Sequence, residues 1–348
     1  MLLDATPGLG GRSAVEVARM AGDLERAGYA GVWSGETAHD VFLPLTLAAA
    51  ATSTVTIGCG IAVAFARNPM SIAVLGNDLQ ALSRGRFVLG LGTQVRAHIE
   101  RRFGMAWSAP SARMREFVEA VRAIWRSWAD ATPLEFQGEH YRHDLMTSVF
   151  DPGPNPYGNP PIMIAAVGTR MTEVAGEVAD GVLAHGFSTG RYLREVTLPA
   201  LERGRGRAQS PAQRRTVCHS ATVVTGRDER DVLAARGAAR RSIAFYASTP
   251  AYRPVLDLHG WGALQPELAR LARENRWSEM PDLIEDDVLD AFAVVCEPSS
   301  LTTALRDRYE GLVDRLSLNF AHPVPAELTA DVAREFNGRA AAAMVARS

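Results

Sequence analysis

The chain has 348 residues, 47% of them hydrophobic, six of them Trp, and carries a formal net charge of −2. That supplies a large core, and the near-neutral balance points away from nucleic acid and anionic membranes as partners. All 37 basic residues are Arg, which excludes a Schiff-base lysine and a phosphate-loop lysine together. Cys59, Cys218 and Cys296 are widely spaced and form no CxxC pair, so a reduced, cytoplasmic setting is expected. Met1 to Asp4 has no basic segment leading into an apolar one, and the most apolar run, Leu43 to Ala51, is too short for a bilayer.

In chain order, Leu2 to Ala5 reads as a first strand. Ser13 to Ala27 carries Val17, Met20, Ala21 and Leu24 at helical spacing, with Ser13 as N-cap and Gly28 as stop. Gly31 to Ser34 is a second strand, Gly35 to Asp40 its exit loop, and Leu43 to Ala51 a helix. Val55 to Val63 is a third strand interrupted by Gly58 and Gly60. A helix over Asn68 to Leu82 leads to Phe87 to Leu91, an apolar run without alternation, the pattern of a parallel strand covered on both faces. A helix over Ser111 to Trp128 follows, then a small hairpin over Pro133 to Arg142 and a Pro/Gly-rich loop from Asp151 to Pro161. Ile162 to Ala166, Gly181 to His185, Thr216 to Thr225 and Arg315 to Phe320 complete eight strands, with helices over Arg170 to Ala179 and Arg191 to Arg203. Eight strands alternating with helices make the expected fold an α/β (β/α)8 barrel, one domain over 1–348. Residues 246–290 break the repeat and read as a helical insertion near the barrel mouth, its aromatic residues suggesting an apolar substrate.

Barrel sites gather at C-terminal strand ends, so the exit loops hold the candidates. Glu36 and His39 can act as base, proton donor or hydrogen-bonding pair; equally, Asp40 can cap the next helix while Glu36 pairs with an arginine. Gly58 and Gly60 allow a flat ligand to approach the backbone, or simply allow tight strand–helix packing. Ala166, Val167, Gly168 and Thr169 turn from a strand into a helix whose N-terminus can hold a phosphate, or serve only as turn and cap. Thr93, Gln94 and His98 follow the fourth strand and His185 ends the sixth; each faces either the pocket or solvent. No His pair has metal-ligand spacing, so no metal is expected.

Ser83-Arg84-Gly85-Arg86-Phe87-Val88-Leu89-Gly90-Leu91-Gly92-Thr93 resembles the signature of the bacterial-luciferase-like flavin monooxygenase superfamily. Gly60-Ile61 followed by Arg67-Asn68-Pro69, and Pro160 through Gly168, are similar to its third and fifth strand regions. The stretch Phe245 to Tyr252 resembles the branch that uses the deazaflavin coenzyme F420. The resemblance implies an F420-dependent oxidoreductase that transfers a hydride between the deazaflavin C5 and a small organic substrate. It assigns Glu36 and His39 to catalysis and to the cofactor headgroup, and Gly60-Ile61 to a non-prolyl cis peptide behind the ring. Thr93, Gln94 and His185 would line the cofactor, and Ala166, Val167, Gly168 and Thr169 its phosphate. His98, Tyr246 and Tyr252 are expected in the substrate pocket. The alternatives are an FMN-dependent monooxygenase using oxygen, which shares this frame, and a barrel that binds a ligand without catalysis. Relatives usually form homodimers, and that is the expected assembly.

Overall fold

The computed structural model describes residues 1–209 and 214–345. Eight strands form the frame: β1 (Leu2–Asp4), β2 (Gly31–Ser34), β3 (Thr56–Cys59), β4 (Phe87–Gly92), β5 (Ile162–Ala166), β6 (Gly181–Ala184), β7 (Thr216–Val224) and β8 (Arg315–Phe320). They are parallel and run in the order β1-β8-β7-β6-β5-β4-β3-β2. The ends of that order meet through the Ala5–Val32 bridge. There Ala5 N–H donates to the Gly31 carbonyl at 2.8 Å, and Trp33 N–H to the Ala5 carbonyl at 2.8 Å. The sheet is therefore a nearly closed barrel with helices outside it, as expected.

Local chemistry sets the element boundaries. Ser13 accepts from Glu16 N–H while the Glu16 carboxylate accepts from Ser13 N–H, a reciprocal cap that starts helix Ala14–Arg26. Asn68 caps helix Pro69–Leu82 by accepting from Ser71 N–H at 2.9 Å, with Pro69 in the first turn, where a missing N–H costs nothing. The third strand is shorter than expected: it stops at Cys59, the Gly60–Ile61 peptide is cis, and Ala62–Val63 resumes beside β4. The expected hairpin appears as Phe136–Gln137 paired antiparallel with Arg142–His143. The charged run after β4 holds a short helix, Arg96–Arg101, that periodicity did not reveal.

Between β7 and β8 lies the helical segment. It begins earlier than expected, with helix Glu229–Ala247, and continues through Arg253–Leu258, Leu264–Arg273 and Asp286–Phe292. Its apolar faces make a second core, in which Ile243, Leu256, Leu268 and Phe292 are buried against Phe187 and Tyr192. Inside the barrel a separate cluster, Trp33 with Met163 and Cys218, fills the centre. Gly58 is required there, because any Cβ at that position would collide with the Trp33 indole. No helix among the described residues is long and apolar enough to cross a membrane.

Candidate active site

At the C-terminal strand ends a cavity of about 530 Å³ opens. Trp33 and the Gly60–Ile61 backbone form one wall; Ala165, Leu183 and Ala184 form another. Its floor is polar. Arg315 donates twice to Asp4, from Nε at 2.8 Å and Nη2 at 2.6 Å, and Trp33 Nε1–H adds a third bond at 2.9 Å. Burial pushes the Asp4 carboxyl upward, and Arg315 and Trp33 pull it back by favouring the charged form.

His39 stands at the rim on a loop that is fixed from both sides. Asp40 Oδ1 caps helix Phe42–Ala51, accepting from Phe42 N–H at 2.8 Å and Leu43 N–H at 3.1 Å. Glu36 accepts from Val63 N–H at 2.9 Å and from Arg67 Nη1 at 2.6 Å, and Arg67 also reaches Asp40 at 3.2 Å. Glu36 thus ties the loop to the break after β3 and does not line the cavity, whereas His39 does. Gly10 and Gly11 pack against the His39 ring; a Cβ on Gly11, at φ +77°, would come 2.7 Å from Nε2.

Across the mouth, His185 ends β6. Its Nδ1 accepts from Phe187 N–H at 3.0 Å, so Nε2 carries the hydrogen and faces Tyr252 Oη at 3.3 Å. Tyr252 stacks on the ring and Tyr246 meets its edge, with centroids 4.8 and 4.9 Å away. Burial holds His185 neutral by lowering its pKa to about 4, and raises Tyr252 to about 12. On β7, His219 is likewise pushed to about 4 by burial. Burial also raises the neighbouring Cys218 thiol, which leaves it a poor nucleophile.

Of the residues expected at the site, His39, Gly60, Ile61 and His185 line the cavity together. Tyr246 and Tyr252 reach it through His185. Thr93 and Gln94 sit half-buried beyond the end of β4, outside the cavity, where Thr93 Oγ1 donates to the Gln94 carbonyl at 2.9 Å. His98 is exposed on Arg96–Arg101, away from the lining. Ala166 and Val167 spend their carbonyls on His185 N–H and Tyr192 Oη–H, both at 3.3 Å. Gly168 caps helix Thr169–Val178, so this turn also lies beside the cavity without lining it. Missed in the sequence were Asp4, Arg315, His219 and the loop after β1. Two signals mark them: charged residues inside apolar strands, and the glycine-rich Gly8-Leu9-Gly10-Gly11.

The luciferase-like monooxygenase model matches residues 3–315. The chain belongs to that family. An uncharacterised protein of Mycobacterium tuberculosis is 54% identical over 293 residues, 84% of this chain and 86% of that one. The 5,10-methylenetetrahydromethanopterin reductase of Archaeoglobus fulgidus is 27% identical over 275 residues, 77% of each chain. Among solved structures, the coenzyme F420-dependent tetrahydromethanopterin reductase of Methanopyrus kandleri superposes with a TM-score of 0.73 at 20% identity, covering 96% of both chains. This luciferase-like chain is an oxidoreductase. Among its described residues no group of three or more His, Cys, Asp or Glu is placed to hold a metal ion.

Proposed function

We propose that this luciferase-like protein is an F420-dependent oxidoreductase transferring a hydride between the deazaflavin C5 and a small organic substrate. The observation that carries the reading is the convergence of His39, the Gly60–Ile61 backbone and His185 on one cavity of about 530 Å³. That volume falls within the range of small-molecule sites. The residues fit a flat ring: Gly60, Ala165 and Ala184 leave its faces unobstructed, and Trp33 walls one side above the Asp4–Arg315 floor. A deazaflavin bound there supplies a carbon that takes or gives a hydride.

The protein's own residues do the rest. Trp33, Ile61 and Leu183 keep water from the reacting face. His39, at the rim, moves the proton on the substrate oxygen as the hydride is exchanged. Glu36 holds that loop through Arg67. The Asp4–Arg315 pair offers fixed donors to a polar ring edge. Val167, Gly168 and Thr169 offer helix-terminal N–H groups to a tail phosphate outside the cavity, with Thr93 and Gln94 near its path.

Fluorescence titration of the purified protein with F420 and, separately, FMN tests the reading. Tight binding of F420 alone is the expected result. Preference for FMN would turn the chemistry towards oxygen, and binding of neither would leave a non-catalytic barrel.

A further inference from the structure

Beside the main cavity lies a second, smaller chamber of about 180 Å³, roofed by Ser242, Ile243, Tyr246 and Phe292 of the helical segment. The two spaces share His185, Ser220 and Asn319 as a partition. Around the chamber the side chains of Ser220, Thr222, Ser242 and Asn319 make no hydrogen bond to any described residue. Ser220, Thr222 and Ser242 are half-buried and Asn319 is exposed, so water holds these groups in the empty chamber and a ligand that displaces it has to return their hydrogen bonds. The lining contains no Asp, Glu or Arg. His185, its one titratable nitrogen pair, is committed to Phe187 N–H and Tyr252 Oη. An ion entering the chamber would give up part of its hydration and meet no opposite charge.

We infer that this chamber binds a compact, uncharged, hydroxyl-bearing arm of the substrate, so that the enzyme selects neutral polyol-like compounds over their phosphate esters. The inference rests on the reading that the main cavity holds the reacting pair. The insertion's aromatic rings support it, since they are spent on rings that follow β6: Phe292 stacks on Phe187 at 4.4 Å, and Tyr252 stacks on His185 at 4.8 Å. Phe187, Phe292 and Tyr246 shape the chamber's walls, while hydroxyl and amide groups supply its recognition.

Calorimetry with three probes tests this on protein with and without F420: styrene glycol, phenylethanol, and the phosphate monoester of styrene glycol. Styrene glycol should bind about tenfold more tightly than phenylethanol, the worth of one or two satisfied hydrogen bonds. The phosphate monoester should bind more weakly than either. Thr222→Val, which keeps the side chain's shape, and Ser242→Val should each bring styrene glycol down to the phenylethanol level and leave phenylethanol unchanged. Circular dichroism melts confirm that both variants fold. Equal binding of the phosphate monoester, unchanged affinity in both variants, or binding of none of the probes would overturn the inference. F420 titration of the same samples separates the two readings. Loss of F420 binding with the glycol ranking intact removes the cofactor, and the reverse removes the chamber.

Discussion

His39 and Glu36 sit three residues apart on one loop, yet the structure gives them opposite surroundings. His39 lines the cavity with Gly10 and Gly11 against its ring, and Glu36 is held through Oε2 by Arg67 and Val63 N–H. Replacing His39 by Ala should therefore lower turnover about a hundredfold or more, the usual worth of a positioned proton-transfer group, with F420 affinity largely kept. Gly11→Ala should act through the same side chain. Its Cβ would press on His39 Nε2 from a backbone with φ +77°, so turnover and melting temperature should both fall. Steady-state kinetics paired with F420 titration reads both. Glu36→Ala should do the reverse of His39→Ala. The Glu36 side chain is only 8% exposed, and its loss leaves Arg67 with only its longer contacts to Asp40 and the Val63 carbonyl, so stability should fall by about 2 kcal/mol in urea unfolding. Turnover per folded molecule should change far less than in His39→Ala. The sequence placed Glu36 and His39 together because spacing reports the loop; which one faces the ligand depends on Arg67, a residue from beyond the next strand.

At the scale of elements, β6 and β7 carry histidines into the barrel at or just beyond their pairing, His185 and His219, and burial lowers both to about 4. The ordinary histidine value is roughly 6.5. Between those values the unfolded chain binds a proton that the folded barrel refuses, so stability rises with pH across that window and is complete above it. Taking the protein from neutral to about pH 5 should cost about 2 kcal/mol for each histidine, read as a lower urea midpoint. His219→Asn should flatten the profile by one such step. The strands themselves were legible where glycine or proline frames a β-rich run: Gly31–Ser34, Ile162–Ala166 and Arg315–Phe320 begin and end where the pattern says. Their inward-facing polar residues were not. A charged side chain in an apolar strand reads as tolerance until the partner across the barrel is known, and Arg315 finds Asp4 from the opposite end of the chain. The helix over Arg191 to Arg203 appears as Gly190–Tyr192, a wider turn at Leu193–Thr197, then Leu198–Arg205. Sequence periodicity does not register a local change in turn width.

For the whole molecule, the closure of the barrel runs up to the edge of the site: Asp4, Thr6 and Trp33, beside the Ala5–Val32 bridge, line the cavity. The seam between β1 and β2 is the thinnest in the ring, a bridge at Ala5–Val32 with a few flanking backbone bonds. Its lower half is completed from the other end of the chain. Asn337, on helix Ala326–Val345, accepts from Leu3 N–H at 2.8 Å and donates to the Leu3 carbonyl at 3.0 Å and the Gly28 carbonyl at 2.7 Å. Val332, Ala333 and Phe336 of the same helix are buried in the main core. One amide side chain thus acts as the missing rung between the first strand and the turn before the second. Asn337→Ala leaves Leu3 N–H and the Gly28 carbonyl without their partner, while the Leu3 carbonyl keeps Ala30 N–H at 2.9 Å, so unfolding free energy should drop by about 2 kcal/mol. Hydrogen exchange should quicken at Leu3, Ala30 and Trp33 more than in β5 or β6, because opening starts at the weakest seam. F420 affinity should stay within about threefold, since barrel sites are built from the C-terminal loops while the N-terminal face serves stability. If exchange instead quickens evenly around the barrel, Asn337 contributes to global stability and the seam is not where the barrel opens.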